Sequence, residues 1–207
     1  MHDPFSYLSP AAPASSEFKD RGSAFLGELA PAATAEEAMA HVACQRKRYH
    51  DATHHCWAYR AGWGESLQSR CSDAGEPSRT AGPPILAALE GRGVSDACLV
   101  VVRYFGGVKL GTGGLARAYR EAAVLALDAA VLEPRTLADE MELTLPYGAQ
   151  GALRHAAASL GVALSEGDSG ERLVLRARVP RGSAPAFAGV LERLGERWKG
   201  GIEWKSR

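Results

Sequence analysis

The 207-residue chain contains no asparagine and no excess of either charge, with 24 basic side chains against 24 acidic ones. Without asparagine it has no acceptor for N-glycosylation. Without net charge, coating of nucleic acid or anionic membrane by bulk electrostatics is excluded, although a local basic patch is not. The uncharged apolar run around Cys98 to Val102, like every other in the sequence, is far shorter than the roughly 20 residues of a bilayer-spanning helix. Four cysteines, Cys44, Cys56, Cys71 and Cys98, lie far apart, and the first twenty residues hold Asp3 and Asp20 with no apolar stretch. This pattern predicts reduced thiols, a cytoplasmic location and no membrane partner, and argues against a secreted, disulfide-stapled scaffold. At 46% hydrophobic and 23% charged residues, the composition is that of an ordered globular protein. At roughly 150 residues per domain, the length allows one large domain or two small ones.

What is present divides into two patterns. Residues 1–22 are rich in Pro, Ser and Ala without a period, and read as a flexible N-terminal arm. Residues 23–134 read as a first α/β domain. It opens with a strand at Ala24–Leu29. A helix follows, with Thr34 and Glu37 as a capping box and Ala35, Met39, Val42 and Ala43 as its apolar stripe. The run Ala97–Tyr104, with Cys-Leu-Val-Val-Val inside it, predicts a strand buried on both faces. Residues 135–207 alternate and cycle as β-α-β-β-α-β, the ferredoxin-like plan. Its features are a one-sided strand through Met141, Leu143 and Leu145, a helix stopped by Gly161, a hairpin at Gly167–Gly170, and a helix capped by Ser183. The predicted fold class is α+β in two domains.

The stretch with most chemistry runs from Arg103 to Arg120. Glycines at 106, 107, 111, 113 and 114 link the buried strand to a helix expected to start near Gly113 or Gly114, with Leu115, Ala118 and Ala122 facing inward. Arg103, Lys109, Arg117 and Arg120 accompany them with no acid among them. Glycines let backbone N–H groups approach a ligand, and a helix start favours an anion. The segment therefore predicts an anion or nucleic-acid site made of Arg103, Tyr104, Gly106, Gly107, Lys109, Gly111, Thr112, Gly113, Gly114 and Arg117. It is not a Walker loop, because no Gly-Lys-Ser/Thr occurs, nor a dinucleotide fingerprint, because no second parallel strand with an acid follows.

Two further polar stretches are candidates for support. His54, His55, Asp73, Glu76 and Thr80 form the first; consecutive histidines on a strand point to opposite faces, so a shared metal is not expected. Asp73 and Glu76 suit either a hard cation or ion pairing with Arg103 or Arg117. Arg172, Arg176 and Arg178 form a second set, a basic face of the return strand. No catalytic residue, cofactor or metal is assigned.

Three blocks, DATHHCWAYR from Asp51 to Arg60, RCSDAGEPSRTAG from Arg70 to Gly82 and RYFGGVKLGTGGLARAY from Arg103 to Tyr119, resemble the signature blocks of the YigZ/IMPACT family in order and spacing. The chain departs from the family at Arg79, where the Glu-Pro-Ser-Gly-Thr-Ala-Gly run usually has glycine; a glycine at positive φ there would make this loop differ. The resemblance implies an N-terminal domain like ribosomal protein S5 domain 2 and a C-terminal domain like the last domain of elongation factor G. It also implies regulatory work linked to translation, as in eukaryotic relatives that act on initiation through protein partners. The partners it suggests are RNA or the ribosome, or a protein of the translation machinery. The alternatives are a phosphate-ester or nucleotide-using enzyme cradling phosphate on the same loop, with Asp73 or Glu76 holding Mg²⁺, and an adaptor that binds protein without catalysis. The oligomeric state stays open.

Overall fold

In the computed structural model, which describes residues 5–199 and 201–206, the run Ala97–Tyr104 is the central strand of a five-stranded sheet. Its burial on both faces follows from what covers them. Leu99 and Val101 face one cluster, with Ile85, Leu115 and Tyr119, while Cys98, Val100 and Val102 face another, with Ala38 and Val42. The first unit, Tyr7–Arg135, contains strands β1 (Ser6–Pro10), β2 (Ala14–Asp20), β3 (Ser23–Pro31), β4 (His54–Ala61), β5 (Gln68–Ser72), β6 (Ala97–Tyr104) and β7 (Leu132–Thr136), with helices α1 (Ala35–Arg48), α2 (Gly82–Gly91) and α3 (Gly111–Ala129). The sheet order is β2-β3-β6-β4-β5, every neighbouring pair antiparallel. Helix α1 covers one face, and α2 with α3 the other.

The expected flexible arm is corrected, apart from residues 1–4, which lie outside the described residues. Strand β2 pairs with β3 along its length, and β1 pairs with β7. Tyr7 stacks on Trp63 at 5.1 Å and donates its hydroxyl to Asp96 at 2.5 Å, and Phe18 packs near Phe25. Long-range backbone pairing and these few aromatics order a segment whose composition alone carries no period.

Other elements shift in detail. Thr34 caps α1 by accepting from the Glu37 N–H at 3.1 Å, and the Glu37 carboxylate reaches back to Ala33 N–H, one residue before the usual partner. The buried face of α1 is Ala38, Val42 and Gln45, whereas Met39 is exposed. Helix α3 begins at Gly111, two or three residues earlier than expected, and its inner stripe, which includes Tyr119 and Leu127, packs against the sheet. It approaches β3 so closely that a Cβ on Gly27 would lie 2.8 Å from the Ala122 carbonyl oxygen.

The second unit comprises Thr136 onward with Phe5 and Ser6. Strands β8 (Ala138–Leu145), β9 (Ala163–Glu166), β10 (Leu173–Pro180) and β11 (Glu203–Ser206) form a sheet in the order β11-β8-β10-β9, joined by helices α4 (Gln150–Ser159) and α5 (Ala184–Arg197). This is the βαββαβ arrangement, with Leu143, Leu153, Leu175, Phe187 and Leu191 at its core. Ser183 precedes α5 but does not cap it through its side chain; its hydroxyl donates to the Leu160 carbonyl at 2.8 Å. The protein is thus an α+β fold of two domains.

Candidate functional site

Alternation along β6 decides which residues share a site. Arg103 follows Leu99 and Val101 onto the face of α2 and α3, and is 5% exposed. Tyr104 falls on the opposite face and donates to Asp51 at 2.8 Å, which holds the Asp51 carboxyl below its usual pKa. The structure therefore separates Tyr104 from Arg103. His54 and His55 part likewise: His54 donates through Nδ1 to the Ala74 carbonyl at 3.0 Å, whereas His55 bonds the Tyr49 carbonyl through Nε2.

Arg103 does not stand free for phosphate. Its Nη1 donates to Glu76 Oε1 at 2.6 Å, and both side chains are nearly buried. The Tyr119 hydroxyl donates to the same Oε1 at 2.8 Å, and His54 Nε2 lies 4.0 Å from it. Burial, with Cys56 and Glu76 close by, pushes the Tyr119 phenol far above its ordinary pKa, so it stays a donor. The guanidinium sits 5.4 Å from the ring centroids of Phe25 and of Phe105, and Ser23 Oγ lies 3.5 Å from Nη2. A buried pair with this many partners is rigid, although Arg103 Nε is itself buried without a hydrogen-bond partner among the described residues.

The neighbouring loop holds itself. Asp73 Oδ1 accepts from Ala81 and Gly82 N–H at 2.9 Å each, and Oδ2 from Arg79 N–H at 2.8 Å. Burial pushes the Asp73 pKa up, but N–H donation from Ala81, Arg79 and Gly82 outweighs it, leaving the carboxyl below its usual range. Asp73 thus supplies the cap that α2 lacks locally, since Ala81 at its start has none to offer. Thr80 is buried and donates to the Pro77 carbonyl at 2.6 Å, a role within the loop. Arg79 itself sits at φ +65°, in the left-handed region that glycine favours.

The glycines divide by cause. A Cβ on Gly106 would come within 1.9 Å of the Gly22 carbonyl carbon, so this glycine is required by packing against the β2–β3 turn. Gly107 and Gly111 have φ of +88° and +70°, whereas a Cβ on Gly113 would meet nothing. Leu110 precedes α3 without a side-chain cap, and the first turn of α3 carries no acid. Lys109 and Arg117 are exposed and make no ion pair among the described residues. A cleft of about 360 Å³ lies beside this helix start. Glu76 and Arg103 line its base, Pro77, Leu110 and Leu115 its sides, and Phe105, Lys109 and Thr112 its rim. Arg117, on the second turn, is not among its lining residues.

Sequence reasoning missed Ser23, Phe105 and Tyr119 as parts of this arrangement. Tyr119 had a signal, four residues after Leu115 on the inner stripe of α3; Ser23 had none, since it arrives from β3. In the second unit, Arg172 bonds Glu203 at 2.7 Å, and in the sheet register Glu142 stands opposite Arg176 and Glu140 opposite Arg178. That face carries both signs, so it is not the basic strip expected from one strand read alone. Among the described residues no group of His, Cys, Asp and Glu has the arrangement of a metal site, and no helix is long and apolar enough to cross a membrane.

Comparison with known proteins agrees with the signature blocks. The Impact N-terminal domain matches residues 21–127. The IMPACT family member YigZ of Escherichia coli is 43% identical over 143 residues, covering 69% of this chain and 70% of that protein. An IMPACT family member of Haemophilus influenzae is 40% identical over 143 residues, 69% of each. A crystal structure of a hypothetical protein, 33% identical, covers 98% of this chain and 97% of its own with a TM-score of 0.67. With the domain matched over residues 21–127 and relatives 40–43% identical over more than two thirds of each chain, the chain belongs to the IMPACT family.

Proposed function

We propose that this chain is a regulatory protein of translation that contacts RNA or the ribosome through the glycine-built start of α3, working in the cytoplasm. Family membership supports the translational role, as the resemblance implies. One observation carries the site: an uncapped helix start on Gly111 to Gly114, flanked by Lys109 and Arg117, two exposed cations with no ionic partner among the described residues. Backbone N–H groups and two cations suit a phosphate diester, and the closed Arg103–Glu76 pair serves as the rigid base beneath them. A phosphate-transferring enzyme is less supported, because both Asp73 oxygens are engaged by backbone N–H groups and Glu76 by Arg103 and Tyr119.

Fluorescence anisotropy with a structured ribosomal RNA fragment, titrated across salt, tests this. Binding should weaken as salt rises. Arg117→Ala should lower the log–log slope by about 0.7 to 0.9, the value for one phosphate contact. A slope and affinity unchanged by both Arg117→Ala and Lys109→Ala would overturn the site. Absence of RNA binding, with capture of a translation factor instead, would favour the adaptor reading.

A further inference from the structure

Arg103 and the start of α3 line the same cleft, and each has donors to spare. Glu76 holds Arg103 Nη1, and Ser23 Oγ lies 3.5 Å from Nη2, so the guanidinium cannot grip a phosphate with its fork. One donor is left over. Arg103 Nε, on a side chain only 6% exposed, is buried with no hydrogen-bond partner among the described residues. A donor buried without an acceptor is costly, and an oxygen brought by a ligand removes that cost. Leu110 gives α3 no side-chain cap, and Gly111 and Thr112, whose N–H groups open the helix, line the cleft with Lys109 beside them.

These donors select both charge and shape. A base carbonyl would satisfy Nε alone, whereas the helix N–H groups and the Lys109 ammonium call for negative charge at the same place. The base of the cleft is closed by the buried Arg103–Glu76 pair, so a strand that enters cannot leave beneath it. An internal phosphodiester continues on both sides and reaches only the rim; the end of a chain can reach the base. A terminal monoester also carries more charge, about −1.5 to −2 at pH 7 against about −1 for a diester. The Glu76 carboxylate does not repel it strongly, because Arg103 offsets that charge from 2.6 Å. Pro77, Leu110 and Leu115 supply apolar sides for the terminal sugar and base, in a volume of about 360 Å³. We infer that this cleft takes the terminal phosphate monoester of an RNA chain, its oxygens accepting from Arg103 Nε–H, the N–H groups that open α3 and the Lys109 ammonium. Nε is closed to water, so the exposed Phe105 ring, 5.4 Å from the guanidinium, turns aside as the phosphate enters. The inference rests on the RNA-contact reading above and adds to it recognition of a chain end.

Isothermal titration calorimetry with three hexauridylates tests it: one 5′-phosphorylated, one 3′-phosphorylated and one with hydroxyls at both ends. A phosphorylated oligomer should bind about tenfold more tightly than the hydroxyl-ended one, through added charge-assisted hydrogen bonds; the arm that gains tells which end is read. Arg117→Ala, outside the cleft, should weaken all three by one factor and keep that ratio, whereas Lys109→Ala should reduce it. Arg103→Lys keeps a cation beside Glu76 but has no Nε–H, and should bring the three oligomers within about twofold of one another. In nitrogen–proton correlation spectra of the wild type, the Arg103 Nε–H and the Gly111 and Thr112 amides should shift with the phosphorylated oligomer and stay in place with the hydroxyl-ended one. Should Arg103→Lys fail to fold, as judged by its circular dichroism melt, these spectra and Lys109→Ala decide. Equal affinity for the three oligomers, or a gain that leaves the Arg103 Nε–H resonance unmoved, overturns the chain-end assignment. So does a phosphoserine peptide that moves the same resonances and binds more tightly than any oligomer. If Arg117→Ala still weakens the hydroxyl-ended oligomer in those cases, the RNA reading stands alone. If the wild-type chain binds none of the oligomers and no structured RNA, both readings fall.

Discussion

Replacing Arg79 by glycine should stabilise the protein. Arg79 holds φ +65°, where the Cβ of an L-residue crowds the backbone at a cost of roughly 1–2 kcal/mol. Its exposed side chain has no hydrogen bond or ion pair among the described residues, so truncation removes no contact. Its backbone N–H donates to Asp73 Oδ2 at 2.8 Å, a bond that glycine retains. Against the relief stands the greater freedom of glycine in the unfolded chain, about 0.4–1 kcal/mol. The net gain is therefore between about 0 and 1.6 kcal/mol, and its midpoint of about 0.8 kcal/mol corresponds to roughly 2–3 °C in Tm for a chain of this length. Calorimetric melting of three proteins separates the causes: wild type, Arg79→Gly and Arg79→Ala. Alanine keeps the Cβ but loses the guanidinium, so it should melt within about 1 °C of wild type. The reasoning fails if glycine melts no higher than alanine, because the φ would then carry no strain.

The loop glycines should respond in opposite senses. Gly106→Ala forces a Cβ into the Gly22 backbone and should cost about 3 kcal/mol or prevent folding, whereas Gly113→Ala meets nothing and gains up to about 1 kcal/mol of helix propensity; urea unfolding distinguishes them, and equal effects would refute the packing account. Thiol labelling at pH 8 should modify exposed Cys44 first and Cys56 and Cys98 only on unfolding, since burial pushes the latter two up to about 12. Rapid modification of Cys56 in the native protein, read by mass spectrometry of its peptide, would contradict the burial of that strand face.

Much of the fold was legible because hydrophobic period and burial agree. Ala97–Tyr104 stands out through an unbroken apolar run that only two covered faces permit. Where the cause is distant, the sequence is silent. Strand β2 is made by its ladder to β3, and its composition of Ser, Glu and Lys offers little β-propensity of its own. The face of α1 is rotated from the expected stripe because Ala38 and Gln45 are buried beside Val42, while Met39 and Ala43 are exposed. At the candidate site, the density of glycine and cations marked the right segment. It could not say that Arg103 would be closed by Glu76, since the two lie 27 residues apart. Nor could it separate Tyr104 from Arg103 without assigning faces to β6. Arg172, Arg176 and Arg178 show the same limit, for their acidic partners come from other strands.

Asp73 makes the stretch from the end of β5 to the start of α2 a single mechanical part. Its two oxygens clasp the amides of residues 79, 81 and 82, so the ten positions from Asp73 to Gly82 keep one length and one path. An insertion within them would unfasten a helix start that no local residue can refasten.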